Sequence, residues 1–271
     1  MKPTVAVLGV GAMGTALVEG LLAAGWTPDD VTTAARREQT VHRVEAATGC
    51  RCLLDPVEAA RGREVVVIAV KPRDVPHLLD QIAGALGPDQ VVVSLAAGVT
   101  ISVFESALPG IPVVRTMPNT PALVREGVTG MAAGASAGEA HLATARAVME
   151  AVGTVQLMEE SLLDAVTAVS GTGPAYVFLL AEALVEAALR EGLPRDVAES
   201  FVHQTIRGAG ALLVETGESP TSLRAQVTSP GGTTAAAVHV LEGRGFRALV
   251  EDAVRAAAAR SRELGEAALG E

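Results

Sequence analysis

Asparagine and aromatic rings are scarce in this chain. Asparagine occurs once, at Asn119, inside the stretch TMPNTPA (116–122), and Phe, Trp and Tyr together make up 2% of 271 residues. Hydrophobic residues reach 49%, so a core here is packed by aliphatic side chains, with Ala and Gly allowing close helix contacts. Positive charge is short as well. Lys and Arg number 21 against 31 Asp and Glu, for a formal net charge of -10, and no basic run interleaves with aromatics. That balance repels phosphate backbones and excludes a DNA- or RNA-binding surface. No uncharged apolar run of about 18 residues is present. The apolar start MKPTVAVLGVG is too short and too broken by glycine for a signal peptide. We therefore expect a cytoplasmic protein with no membrane partner. The two cysteines, Cys50 and Cys52, form a C-x-C pair with no further Cys and no His cluster, which suits two reduced structural thiols and leaves no metal site to expect.

What is present has a clear order. TVAVL (4–8), DVTTAA (30–35), EVVVIAV (64–70), QVVVSL (90–95) and IPVVRT (111–116) are short Val-rich runs bounded by Gly, Pro or Asp, the pattern of buried parallel strands. Amphipathic stretches between them imply right-handed βαβ units. From about Leu162 strand signals stop, and PAYVFLLAEALVEAALREG, RDVAESFVHQTIRGAGALLVETG and FRALVEDAVRAAAARSREL all carry helical spacing. The fold class expected is α/β, a doubly wound domain over residues 1–160 followed by an all-helical domain over 161–271. The first long helix is apolar on nearly all sides, with Glu182 and Glu186 against a membrane span. It is either a subunit-interface helix or a central core helix.

GVGAMG (residues 9–14) follows the first strand and opens an amphipathic helix, the setting in which G-x-G-x-x-G binds a dinucleotide. Gly9 permits the turn, Gly11 lets the backbone approach a pyrophosphate, Gly14 allows close packing, and Val10, Ala12 and Met13 complete the cradle at a helix N-terminus. The other reading is a purely structural glycine turn. About 20 residues further on, an NAD-binding chain carries a carboxylate for the ribose 2′-hydroxyl. This chain reads AARRE, and Arg36 and Arg37 there pair with a 2′-phosphate, which favours NADPH over NADH. Two solvated arginines would look the same. Lysine occurs only at Lys2 and Lys71. The second lies in AVKPRDV (Ala69, Val70, Lys71, Pro72) at a strand's carboxyl edge, where it would bind a ribose or phosphate oxygen or steady the loop. Ala96 and Ala97 of SLAAG are small enough to admit a nicotinamide ring or ribose. Asn119, between Pro118 and Pro121, offers a donor and an acceptor to cofactor or substrate, or forms a turn with no ligand. TSPGGTT (228–234) precedes an Ala-rich helix, so Ser229, Gly231, Gly232, Thr233 and Thr234 make an oxygen-and-amide nest suited to a carboxylate, or an ordinary helix cap.

Taken together, GVGAMG, AVKP, SLAAGVTI, MPNTP, VSGTGPAYVF and VTSPGGTTAAAVHVLE resemble pyrroline-5-carboxylate reductase over essentially the whole chain. The resemblance implies an amino-terminal Rossmann domain, a helical domain that forms a homodimer or larger homo-oligomer, and NAD(P)H-dependent reduction of (S)-1-pyrroline-5-carboxylate to L-proline. It implies that Thr234 hydrogen-bonds the ring nitrogen as the catalytic residue, and that Glu160 belongs to the substrate site. Asp55 stands where the family carries a neutral amide near the adenosine ribose. A related β-hydroxyacid or imine oxidoreductase would need a catalytic Lys in its helical half, and this chain has no Lys beyond residue 71. A nonenzymatic NADP sensor would leave TSPGGTT without a purpose.

Overall fold

In a computed structural model, which describes residues 2–268, the Val-rich runs become the centre of one eight-stranded sheet. The strands are β1 (Val5–Leu8), β2 (Val31–Ala34), β3 (Arg51–Leu53), β4 (Val65–Ile68), β5 (Val91–Ser94), β6 (Val113–Met117), β7 (Gly127–Ala133) and β8 (Gly153–Leu157). They lie in the order β3-β2-β1-β4-β5-β6-β7-β8. Every pair is parallel except β6 with β7. Strands β1, β2, β4 and β5 are buried at every residue, Thr32, Thr33 and Ser94 included, as strands of a sheet covered on both faces must be. One face packs under Leu17, Leu21, Trp26 and Met149, the other under Ile68, Leu79, Ile82 and Phe104.

The chain runs outward from β1 through β2 to β3, then returns to place β4 on the other side of β1. The switch point of the sheet therefore lies between β1 and β4, and open α/β sheets bind ligands at the carboxyl ends of such strands. The five expected strands all form, β1 trimmed at its start, the next three at both ends and the fifth shifted to Val113–Met117. Three more strands, β3, β7 and β8, carry no Val-rich run. RCL is a three-residue edge strand, GVTGMAA is built from small residues, and GTVQL is exposed at three of its five positions. Pairing with neighbours, rather than intrinsic propensity, forms them.

Contacts divide the chain into two units: one runs from the amino terminus to Thr172 and includes the stretch from Ala256 onward, the other is Gly173–Arg255. The first ends in a single π turn, Thr167–Gly171. The second holds the helices Gly173–Arg190, Arg195–Thr216, Pro220–Gln226 and Thr233–Gly243, and the last helix, Phe246–Ala268, begins in it. Its internal core is small, with Val185, Ala198 and Val202 buried beside Ala181, Leu189 and Ile206. Phe178 at 62%, Leu179 at 66%, Phe201 at 68% and Val214 at 83% exposure show how much apolar surface these helices leave uncovered. The segment Glu160–Arg190 is long and apolar enough, by length and composition only, to cross a membrane.

Candidate functional site

The glycine turn sits at the switch point. Gly9 donates its backbone N–H to Ala34 O at 3.0 Å, and Ala69 donates to Leu8 O at 2.8 Å, so the ends of β1, β2 and β4 meet there. Gly9 has φ of +105°, and a Cβ on it would lie 2.8 Å from Ala69 O and 2.9 Å from Val70 Cγ1. Both the backbone conformation and the packing thus exclude a side chain. Gly14 is needed for a different reason, because a Cβ there would overlap Gly9 O within the turn itself. At Gly11 nothing stands within 4 Å of where a Cβ would be. It is the N-cap of the helix Ala12–Ala23, which has no side-chain cap and no acidic residue in its first turn. The helix therefore starts with no side-chain cap and with open space beside Gly11, an arrangement that fits a pyrophosphate. Val10 is buried in a small cluster with Ala35, Val44 and Cys52.

Four further loops open at the same edge. Arg36 and Arg37 are exposed after β2, and Arg36 Nη1 pairs with Asp74 Oδ2 at 3.3 Å. Asp74 belongs to the one-turn helix Pro72–Asp74 that Lys71 caps, so the Arg36 and Lys71 loops are fastened together. Asp55 is exposed, and Oδ1 accepts from Val57 N at 2.8 Å as the cap of Pro56–Ala60. Beside it a shallow cavity of about 460 Å³ is lined by Glu38, His42, Cys52, Leu54, Asp55 and Glu58, among others. After β5, Ser94 Oγ accepts from Ala96 N at 3.2 Å and turns the chain into Ala96, Ala97 and Gly98.

Asn119 and Glu160 are both held by hydrogen bonds within the protein. Asn119 is buried, its Oδ1 accepts from Val128 N at 2.9 Å, and its Nδ2 donates to Ser170 O at 3.2 Å. The single asparagine of the sequence ties the loop after β6 to the start of β7 and to the π turn. Glu160 Oε1 accepts from Arg115 Nη1 at 2.8 Å and from Ile101 N at 2.8 Å. Arg115 is 5% exposed within β6, a buried charge that requires such a partner. A charged residue inside the Val-rich run VVRT was the signal for this pair. Arg43 is a second residue that the motifs did not reveal: from the helix Glu38–Thr48 its Nη2 donates to Val10 O at 3.3 Å and brings a cation to the glycine turn.

The nest belongs to the second unit. Gly231 has φ of +68°, Gly232 N donates to Ser229 O at 3.0 Å, and Gly232 is the N-cap of Thr233–Gly243 without a side-chain cap. A Cβ on Gly232 would overlap Ser229 Oγ. Ser229, Gly231 and Thr233 are exposed and Thr234 is half-buried, so hydroxyls and uncapped amides stand open at the start of an 11-residue helix. This helix start, too, lacks an acidic residue, which suits an anion.

Comparison with known proteins agrees with both halves. A family profile described as pyrroline-5-carboxylate reductase dimerisation matches residues 160–264, and one described as NADP oxidoreductase, coenzyme F420-dependent, matches residues 4–98. A pyrroline-5-carboxylate reductase of Corynebacterium melassecola is 42% identical over 267 residues, covering 97% of this chain and 99% of its own. This chain belongs to the pyrroline-5-carboxylate reductase family. A solved pyrroline-5-carboxylate reductase from Coxiella burnetii superposes with a TM-score of 0.92 at 36% identity, covering 97% of this chain and 99% of that one. A Plasmodium falciparum pyrroline carboxylate reductase solved with NADP bound gives 0.86 at 28% identity, covering 97% and 98%. Family members are NAD(P)H-dependent oxidoreductases, and in this one the pyridine-nucleotide-binding fold is the doubly wound unit. Its two cysteines are free and buried in different clusters, and burial pushes both thiols above the ordinary range.

Proposed function

We propose that this protein reduces (S)-1-pyrroline-5-carboxylate to L-proline, the last step of proline synthesis, with NADPH preferred and NADH accepted. The observation that carries this reading is the presence in one chain, related over its full length to pyrroline-5-carboxylate reductases, of two uncapped helix starts suited to anions. One is the Gly9–Gly14 turn for the cofactor pyrophosphate, the other the TSPGGTT nest for the substrate carboxylate.

In this reading Gly9, Val10, Gly11, Ala12, Met13 and Gly14 cradle the pyrophosphate. Arg36 and Arg37 hold the 2′-phosphate, which gives the preference for NADPH, and Asp55 lies by the adenosine ribose. Ala69, Val70, Lys71 and Pro72 line the ribose path, and Ala96 and Ala97 face the nicotinamide. Ser229, Gly231, Gly232, Thr233 and Thr234 take the carboxylate, and the Thr234 hydroxyl orients the ring nitrogen. Asn119 is assigned to the cofactor and Glu160 to the substrate site, each held in place by hydrogen bonds within the protein.

Bound NADPH supplies the hydride. The C=N bond accepts that hydride at carbon and keeps a proton on nitrogen, and the imine enters already carrying the proton from solvent. No strong general acid is required of the protein, so catalysis consists of holding the carboxylate and nitrogen in a fixed orientation. We assign dimerisation, with larger rings allowed, to the helical residues 161–271, whose exposed Phe178, Leu179 and Phe201 need a partner. We place the enzyme in the cytoplasm, where free thiols persist. The test is decay of NADPH absorbance on adding the imine to purified protein, with NADH in parallel and proline identified as product. Decay with proline formed supports the reading; cofactor binding without decay would point to a sensor or another imine.

A further inference from the structure

The last helix ends against the loop that follows β5. Gly98, buried with φ of +78°, adjoins Ala96 and Ala97, and a Cβ on it would lie 3.3 Å from the Gly265 nitrogen. A Cβ on Gly265 would lie 2.8 Å from the Gly98 carbonyl oxygen. Backbone packs on backbone here, and a side chain on either residue would part the two. One helical turn earlier, Ser261, 6% exposed, donates Oγ to Asp164 Oδ1 at 2.6 Å. Asp164 lies four residues after Glu160, whose Oε1 accepts the Ile101 N–H. Loop 98–101, segment 160–164 and helix 261–265 are therefore joined pairwise into a closed ring. Gly265 is a poor helix residue in a helix otherwise rich in alanine, which is accounted for by the close approach it permits.

We propose that Ser261 and Gly265 are positioning residues for the cofactor: the end of the last helix is a brace that sets the height of the Ala96–Gly98 backbone under the nicotinamide end. This rests on the assignment of Ala96 and Ala97 to the cofactor site. Helix 261–265 touches no ligand itself and acts only through Gly98 and Asp164. Removing either fastening lets the loop drift, and loops displaced by fractions of an ångström lose affinity for what they hold.

The experiment compares Gly265→Ala, Ser261→Ala, Asp164→Ala and Asp164→Asn in the full chain, by NADPH KM, imine KM, kcat and thermal midpoint. Gly265→Ala should raise NADPH KM about fivefold, the equivalent of one ordinary hydrogen bond, with kcat and imine KM within about twofold. Its midpoint should fall, because the new Cβ stands 2.8 Å from the Gly98 oxygen and the helix preference of alanine offsets only part of that; a purely structural role would lower the midpoint and leave NADPH KM unmoved. Ser261→Ala and Asp164→Ala should act alike, and Asp164→Asn, which keeps an acceptor for Ser261, should restore the parent value. A bulky charged control, Ala97→Glu, should abolish tight NADPH binding. Unchanged NADPH KM in both Gly265→Ala and Ser261→Ala, with Ala97→Glu impaired, overturns the brace. Unchanged KM in Ala97→Glu overturns the loop assignment on which the brace depends.

Discussion

Glu160→Ala tests whether the buried pair with Arg115 is a fastening of the fold or a surplus contact. The substitution removes a charge-assisted hydrogen bond from Arg115 Nη1 and a backbone bond from Ile101 N, both at 2.8 Å. A bond to a charged group contributes about 1.5–3 kcal/mol and one to a backbone amide about 1 kcal/mol. The side chain of Glu160 is 32% exposed while that of Arg115 is 7% exposed, so water entering from the Glu160 side offsets part of the loss. The expected destabilisation is about 2–3 kcal/mol, read as a drop in the urea midpoint with the slope unchanged. Glu160→Gln keeps an acceptor for both donors and should lose about half as much. The double variant Arg115→Met/Glu160→Leu should be more stable than Glu160→Ala, because it leaves no orphaned buried charge. A loss below about 0.5 kcal/mol for Glu160→Ala would refute the reasoning and mean that water already solvates Arg115.

Replacing Arg36 and Arg37 together with Ala should raise NADPH KM at least about tenfold and NADH KM less than about twofold, each bond to a charged group being worth about that factor; equal losses would remove the 2′-phosphate assignment. Thr234→Val keeps the shape of the side chain but not its hydroxyl, and should lower kcat by about tenfold or more with NADPH affinity intact, checked by steady-state kinetics and cofactor titration. Burial raises the pKa of Cys50 and Cys52, so both should stay protonated and slow to react with a thiol reagent at a pH where a free cysteine ionises, and react fully once the chain is unfolded. The sign for stability follows: because the folded thiols hold their protons more tightly, their contribution is present below the unfolded cysteine pKa and fades as pH rises past it. A Cys50→Ser/Cys52→Ser variant should flatten the alkaline limb of the stability curve, and an unchanged limb would reject this account.

Some of the local structure at the candidate site was legible from particular residues. GVGAMG after a Val-rich run marks its turn by itself, since the positive φ at Gly9 and the uncapped start of the next helix are local, whereas the packing of Gly9 on Ala69 and Val70 is tertiary. TSPGGTT was readable for the same reason. Strands β3, β7 and β8 were not, because RCL, GVTGMAA and GTVQL carry no strong intrinsic signal and become strands by pairing with neighbours already in place. Asn119 shows the limit most plainly. Its uniqueness and its two prolines marked it as important, yet its partners are Val128 and Ser170, the second of them 51 residues away.

Local chemistry, then, was written along the chain: which turns take glycine, which runs are buried, which helix starts lie open, and where the cations fall. Only the tertiary structure decided which amides and charges turn inward. Arg115 meets Glu160, Asn119 meets Ser170, and Gly98 meets Gly265 through contacts whose partners are separated by tens of residues or more, and hydrogen-bond geometry at that range is set by packing rather than by spacing in sequence.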